Sequence, residues 1–390
     1  MRNRDIIITG LQAWEMSLGS NARNIAIEFS KENRVLYINP PNSRLNWLKS
    51  KATRKKHKQI SWGNNLTKVG DNIWVYHPKR FIETLNRLPF NALFDVITWH
   101  NNRLFAEEIR YAMQFLNFSN HIHFSDSDMF RSYYLKKFLN PDLYIYYTRD
   151  NLLAVDYWKR QGRRYEPSHM AHADIVLSNS EYLAGLASKY NPNSHFVGQG
   201  CDVKHFLKHS VKRGKTIKFA SDLPVIGYVG SLNALRLDIE IISSIAIAKP
   251  NWQIVLVGPE DESFRTSNLH NLSNLWFTGI KPEAELPSWI DSFDVAINPQ
   301  RVNEITIGNY PRKIDEYLAM GKPVVATHTE AMQYFRDHVS LASDTQGWIQ
   351  AIAYELSKNS PELQKERIDF AKGHTWEENV SRIYDLIKAS

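Results

Sequence analysis

A single cysteine, Cys201, stands in 390 residues. That scarcity excludes an intrachain disulfide and any Cys-rich zinc site, and it suits a reducing cytoplasm. Long apolar runs are also missing. None approaches the roughly 20 residues a helix needs to cross a bilayer. The opening M-R-N-R-D-I-I-I-T-G reads as a first β-strand, not a signal peptide. A soluble or membrane-peripheral protein is expected. None of the 14 histidines has metal-ligand spacing with acidic or cysteine partners. Acidic residues are absent from Asn33 to Gly70, where Arg34, Arg44, Lys49, Lys51, Arg54, Lys55, Lys56, Lys58 and Lys68 fall. With Leu45, Trp47 and Leu48 interleaved, this stretch is either a solvated basic loop or a patch for anionic lipid centred on residues 44–58. It contains no nucleic-acid reader motif, and no nucleic-acid partner is expected.

What is present is a globular composition, 43% hydrophobic and 23% charged, at a length that favours two domains. Short apolar runs alternate with amphipathic stretches, the pattern of an α/β fold. Strands are predicted over residues 5–10, 34–39, 121–125, 143–148 and 173–180, with helices over 21–32 and 103–116. The polar segment 201–216 reads as a linker. Alternation then restarts, with strands over 224–230, 252–258, 275–279, 294–299 and 323–327. Helices are expected over 238–247, 286–292, 311–320 and 345–357. Two doubly wound domains follow from this order, with ligands expected beyond the carboxyl ends of their strands.

The stretch Y-P-R-K-I-D-E-Y-L-A-M-G (310–321) draws the most attention. Pro311 suits a first helical turn and Gly321 a stop. Ile314, Tyr317 and Leu318 form an apolar stripe, while Lys313 and Glu316 lie three apart near the helix start. Spacing alone favours an i, i+3 ion pair between them. The alternative is a ligand grip, with Lys313 on phosphate and Glu316 on ribose hydroxyls.

E-Y-L-A-M-G-K-P-V-V-A-T (316–327) resembles the nucleotide-sugar-binding helix and strand of GT-B glycosyltransferases, above all the retaining family-4 (group 1) enzymes of bacterial surface polysaccharide synthesis. The likeness continues in I-G-Y-V-G-S-L-N-A-L-R-L-D (226–238), L-W-F-T-G-I-K-P-E-A-E-L-P (275–287), A-D-I-V-L-S-N-S-E-Y-L (173–183), G-Q-G-C-D-V-K-H-F (198–206) and H-T-W-E-E-N-V (374–380). It implies an α/β GT-B fold: two Rossmann-like doubly wound domains facing across a cleft. Residues 1–207, rejoined by a final helix over 375–390, would bind acceptor, and 217–374 would bind the nucleotide sugar. It further implies that Arg236 and Lys313 neutralise the diphosphate and that Glu316 holds the ribose. Gly230 would admit phosphate, Gly279 and Ile280 would meet the base, and Gly308, Asn309 and Tyr310 would line the sugar end.

The resemblance implies no metal and no other cofactor. The reaction would pass a sugar from UDP or GDP to a glycan or polyprenyl-linked acceptor, with retention. Exopolysaccharide, capsule, O-antigen or cell-wall glycan would be the product, made in the cytoplasm or on the inner face of the membrane. One departure stands out. Family members often carry a glutamate eight positions before the one matching Glu316; here that position is Gly308, with Glu304 upstream, as in subgroups with P-x-K-x-x-E-Y-L-A-x-G. On the acceptor side, Asp126 and Asp150 end strands and are catalytic candidates. F-S-D-S-D (124–128) also reads as a metal-binding D-x-D or as a turn with a capping Asp. His100 is either a cleft histidine after a strand or an ordinary helix-side residue. A 2-epimerase-like enzyme and a non-catalytic nucleotide- or glycan-binding module remain as alternative readings.

Overall fold

The computed structural model describes residues 1–16, 20–44, 65–83, 85–210 and 222–389. Within them the chain divides into two compact units, Met1–Gly198 with Val380–Ser390, and Gln199–Asn379.

The first unit is built on a sheet of β1 (Asp5–Gly10), β2 (Arg34–Ile38), β3 (Leu66–Gly70), β4 (Ile73–Tyr76), β5 (His121–Asp126), β6 (Leu143–Thr148), β7 (Ile175–Ser178) and β8 (Ser194–Phe196). Their order is β3-β4-β2-β1-β5-β6-β7-β8. All pairs are parallel except β3 with β4. Strands such as D-I-I-I-T-G are buried along their whole length, as expected of parallel strands covered on both faces. The sequence reversal lies between β1 and β5, so the loops after Gly10 and Asp126 open at one edge of the sheet.

The second unit has β9 (Val225–Val229), β10 (Gln253–Val257), β11 (Leu275–Phe277), β12 (Val295–Asn298), β13 (Val324–Thr327) and β14 (Ser340–Ala342), all parallel, in the order β11-β10-β9-β12-β13-β14. This is the doubly wound arrangement that binds ligands where the order reverses, here between β9 and β12. Apolar layers cover both faces. Ile314, Tyr317 and Leu318 join one of them, and Ile242, Trp348 and Ile352 the other.

Among the elements that differ from the sequence expectation, three helices do so for identifiable reasons. The segment expected to be a linker contains a helix, Val203–Ser210, because Val203 and Phe206 enter the core of the second unit among Ile290 and Leu318. The helix expected from residue 103 begins at Asn91 and runs to Leu116. Its first turns carry apolar residues on the solvent side as well, which blurs the periodicity. The Asp156–His172 helix was missed because it is rich in Lys and Arg and contains Pro167. Its core contacts come from Gln161, Tyr165, Glu166 and His169 as much as from aliphatic residues.

Candidate functional site

In the second unit the chain leaves β9 at Gly230, with φ at 149°, a conformation natural only to glycine. Its amide donates to the Val257 carbonyl at 2.9 Å. Gly258, after β10, has φ at 147°, and a Cβ there would stand 1.8 Å from the Gly230 carbonyl oxygen. The two strand-end turns therefore stack backbone on backbone, and only glycines permit it. A Cβ on Gly230 would lie 2.8 Å from Lys313 Nζ, so the ammonium reaches this turn.

Lys313 opens the Lys313–Ala319 helix. Its Nζ donates to Tyr228 Oη at 2.6 Å and sits 4.4 Å from that ring's centre. Tyr317, one turn on, receives the Val229 amide on its hydroxyl at 2.9 Å. The helix is thereby fixed to the end of β9. Glu316 accepts from Arg312 Nε at 3.2 Å, and its charge holds the Arg312 guanidinium pKa above the ordinary value. The i, i+3 pair that spacing favours is not the arrangement adopted: Lys313 turns to Tyr228 and Glu316 to Arg312.

The loop after β12 is knitted to the loop after β9. Arg301 donates its amide to the Arg236 carbonyl at 2.8 Å, Asp238 to the Pro299 carbonyl at 2.9 Å, and the Asn303 side chain to the Leu235 carbonyl at 2.8 Å. The Asn309 carboxamide fits with its oxygen 2.9 Å from Arg236 Nη1 and its nitrogen 3.2 Å from the Ile305 carbonyl. Arg236 and Asn309, far apart in sequence, thus belong to one wall, with Gly308 next to Asn309 in the chain. Beyond β11, Gly279 adopts φ 69° beside open space, and Ile280 is 75% exposed.

Tyr310 departs from the expected role. It is buried, its ring 5.1 Å from that of Phe335, and packs under the helix, away from the pocket. There it neighbours Asp315, which is fully buried and bonded to His374 Nδ1 at 2.7 Å. His374 Nε2 lies 2.9 Å from the Tyr334 hydroxyl. Burial pushes the Asp315 carboxyl pKa up, against the pull of His374. Burial, reinforced by Glu316 and Asp315, also raises the Cys201 thiol. Sequence reasoning missed Tyr228, Gly258, Arg312 and the Asp315–His374 pair. Gly258 alone left a trace, as a glycine directly after a buried apolar run.

In the first unit, Ser127 adopts φ 56° and turns the two aspartates of D-S-D apart. Asp126, fully buried, pairs with Arg149 at 2.9 Å; Asp128 pairs with Arg131 at 3.0 Å. Burial raises the Asp126 carboxyl while Arg149 opposes it. Asp150 reaches Arg149 at 3.4 Å. This geometry makes Asp126 a buried support for Arg149. It also separates the carboxylates that a D-x-D metal site would bring together. Among the described residues no group of three or more His, Cys, Asp or Glu is placed to hold a metal ion.

Beside Asp128 and Arg131 a cavity of about 480 Å³ opens, lined also by Asn86, Asn101, Phe130 and Trp158. Asn86 is buried, and its amide nitrogen has no hydrogen-bond partner among the described residues. His100 is on the exposed side of the long helix, the ordinary helix-side position. Ser20 caps the Asn21–Ser30 helix through the Arg23 amide. Gly19 and the basic segment after Arg44 lie outside the described residues. Behind the sheet, Glu166 accepts from Tyr146 Oη at 3.1 Å, and burial pushes its carboxyl up to about 7.

Comparison with known proteins bears on the family and the fold. Residues 223–358 match the family model described as glycosyl transferases group 1. TuaH of Bacillus subtilis (strain 168), whose name assigns it a glycosyltransferase role in teichuronic acid biosynthesis, is 28% identical over 242 residues, or 58% of this chain. That alignment spans 60% of TuaH. Among solved structures, sucrose-phosphate synthase from Thermosynechococcus elongatus superposes with TM-score 0.70 at 15% identity, covering 100% of this chain and 99% of that one. Anabaena Alr3699/HepE in complex with UDP superposes with TM-score 0.67 at 13% identity, covering 99% of this chain and 100% of that one. The chain shares the GT-B fold of these structures, and residues 223–358, within its second unit, are similar to the group 1 glycosyl transferases.

Proposed function

We propose that this protein transfers a sugar from a UDP- or GDP-sugar to a glycan or polyprenyl-linked acceptor, with retention and without a metal, in bacterial surface-glycan synthesis. The observation that carries the reading is the Lys313 ammonium delivered onto the Gly230 turn, in the unit whose other strand-end loop holds Arg236 against Asn309. Breaking an anomeric C–O bond leaves an oxocarbenium-like centre and a departing diphosphate, and fixed cations aimed at the departing charge are the main catalytic requirement. Lys313 and Arg236 supply them. Glu316 offers carboxylate oxygens to the ribose hydroxyls, and the Gly279–Ile280 turn gives backbone groups to the base. The phosphate itself assists acceptor attack on the face it leaves, so no pair of carboxylates at glycosidase spacing is needed. The cavity at Asp128 and Arg131 receives the acceptor, with Asp150 and Arg149 at the neighbouring strand end.

TuaH's assignment to teichuronic acid biosynthesis and the UDP complex of HepE support a surface-polymer product and a uridine nucleotide. The enzyme works in the cytoplasm, peripheral to the inner membrane face. The test is mass spectrometry of products from a panel of UDP- and GDP-sugars with lipid-linked and free glycan acceptors, in the presence of EDTA. Transfer in EDTA from one nucleotide class is expected. Nucleotide binding with no turnover of any sugar would replace the enzyme by a binding module.

A further inference from the structure

The Asn91–Leu116 helix buries Phe105 and Ile109 among Ile7, Leu36 and Ile38 of its sheet and Phe94 beside Phe130 and Tyr165. Its opposite side should be polar. Over the first half it is not: Phe90 and Val96 are each 67% exposed, Leu93 47% and Trp99 40%. Leu93, Val96 and His100 follow one another at helical spacing and continue into Arg103, so the apolar residues form a ridge that runs into positive charge. Arg103 stands 5.9 Å from the Trp99 ring centre.

The helix alongside adds more of the same sign. Arg164 pairs with Asp95 at 2.7 Å, which places the Asp156–His172 helix next to the ridge, and that helix exposes Arg160, Arg163 and Arg164. Asp95 is engaged by Arg164 and Tyr165 and Glu107 by Arg80 and Arg103, while Asp156 is exposed at the start of the second helix, so the net positive charge of this face rests on Arg160 and Arg163. An aromatic and aliphatic knob ringed by guanidinium groups suits an anionic bilayer. Trp and Phe settle at the headgroup boundary while arginines neutralise phosphate. A second copy using the same patch would bring these like charges together.

We propose that this face docks the protein on anionic phospholipid. This face uses none of the residues assigned to the donor site and none of those in the basic segment after Arg44, so it is tested independently of both. The experiment is co-sedimentation of the full chain with vesicles of phosphatidylcholine alone or with 30 mol% (about) phosphatidylglycerol. Binding to the anionic vesicles only is expected, weakening as salt rises. Leu93→Asp with Val96→Asp should lower the partition coefficient more than about tenfold. Arg103→Gln and Arg163→Gln should each lower it roughly fivefold, at about 1 kcal/mol per arginine near the surface. Calorimetric titration of UDP and GDP should be unchanged in these variants, so failure here is distinct from failure of the donor-site reading. Wild-type vesicle binding by the Leu93/Val96 variant, with all affinity lost on Lys55→Gln, Lys56→Gln and Lys58→Gln, would overturn the proposal. So would a dimer in sedimentation velocity that Leu93→Asp dissolves, which would give this face to a second copy.

Discussion

Replacing Lys313 by methionine separates the two accounts of this residue. Methionine keeps much of the apolar stem and removes the charge. In the folded protein the loss is a hydrogen bond to Tyr228 Oη at 2.6 Å and the contact with its ring at 4.4 Å. Together these are worth about 1–2 kcal/mol, a modest fall in thermal stability. The effect on ligand is larger. Two unit charges about 4 Å apart at an effective dielectric of about 20 interact by roughly 4 kcal/mol. Sharing the diphosphate with Arg236 and losing part to solvent screening leaves about 2 kcal/mol, or roughly 30-fold in affinity. The assay is calorimetric titration of UDP, GDP and the matching nucleosides into wild type and Lys313→Met. The nucleoside diphosphate should lose about 30-fold and the nucleoside almost nothing, with kcat/KM falling further because the leaving group gains charge in the transition state. Diphosphate affinity within threefold (about) of wild type would refute the reasoning and return Lys313 to a structural partner of Tyr228. An equal loss for the nucleoside would mean that the pocket had collapsed.

Other outcomes follow from the same geometry. Glu316→Gln should weaken binding of the ribonucleotide and erase its advantage over the 2′,3′-dideoxy nucleotide, by roughly 1.5–3 kcal/mol for hydrogen bonds to a charged acceptor; a preserved preference in competition titrations would remove Glu316 from the ribose. Gly258→Ala places a Cβ 1.8 Å from the Gly230 carbonyl at a φ of 147°. It should therefore lower the melting temperature and cut nucleotide affinity at least about tenfold. Unaltered affinity would mean that the stacked turns do not shape the phosphate site. Glu166 has its folded pKa raised to about 7 from an ordinary 4.5, so the unfolded chain releases this proton first as pH rises. Its contribution is fully present below pH 4.5 and is lost as pH climbs through about 7, a swing of roughly 3 kcal/mol. Denaturant unfolding of wild type and Glu166→Gln should diverge across that window by up to this amount, and parallel curves would count against a buried, protonated Glu166.

Much of the fold was legible because parallel strands covered on both faces must be continuous apolar runs. The ten strands expected from sequence all form, with ends shifted by a residue or two. β3 was not legible: four of its five residues are exposed at the sheet edge, and L-T-K-V-G carries no buried pattern. β8 and β14 are three residues each, too short for any period. In the donor pocket, residue types and the spacing to Gly321 pointed to Lys313 and Glu316, but their partners were unreadable. Tyr228 lies 85 residues upstream of Lys313, and adjacency in sequence says nothing of which way Arg312 turns. The place of Tyr310 was unreadable for a related reason. An aromatic at a helix entrance serves core or ligand equally well, and only its packing on Phe335 decides. The two aspartates of D-S-D read as a unit in sequence, while the left-handed Ser127 between them sends each to a different arginine.

Asp315 and Glu316 are neighbours in sequence with opposite duties. One is sealed inside with His374 and Tyr334, and the other lies against Arg312 with 12% of its side chain exposed. Successive helical residues diverge by about 100°, so the buried aspartate acts as an index pin that sets the angle at which the glutamate is presented. For anyone re-engineering the donor, the helix is then the fixed datum and the loops are the adjustable parts. Under the proposed function, libraries that vary the Glu304–Asn309 stretch are expected to change which sugar is accepted, whereas substitutions at Asp315 or His374 are expected to misalign the nucleotide grip for every donor at once.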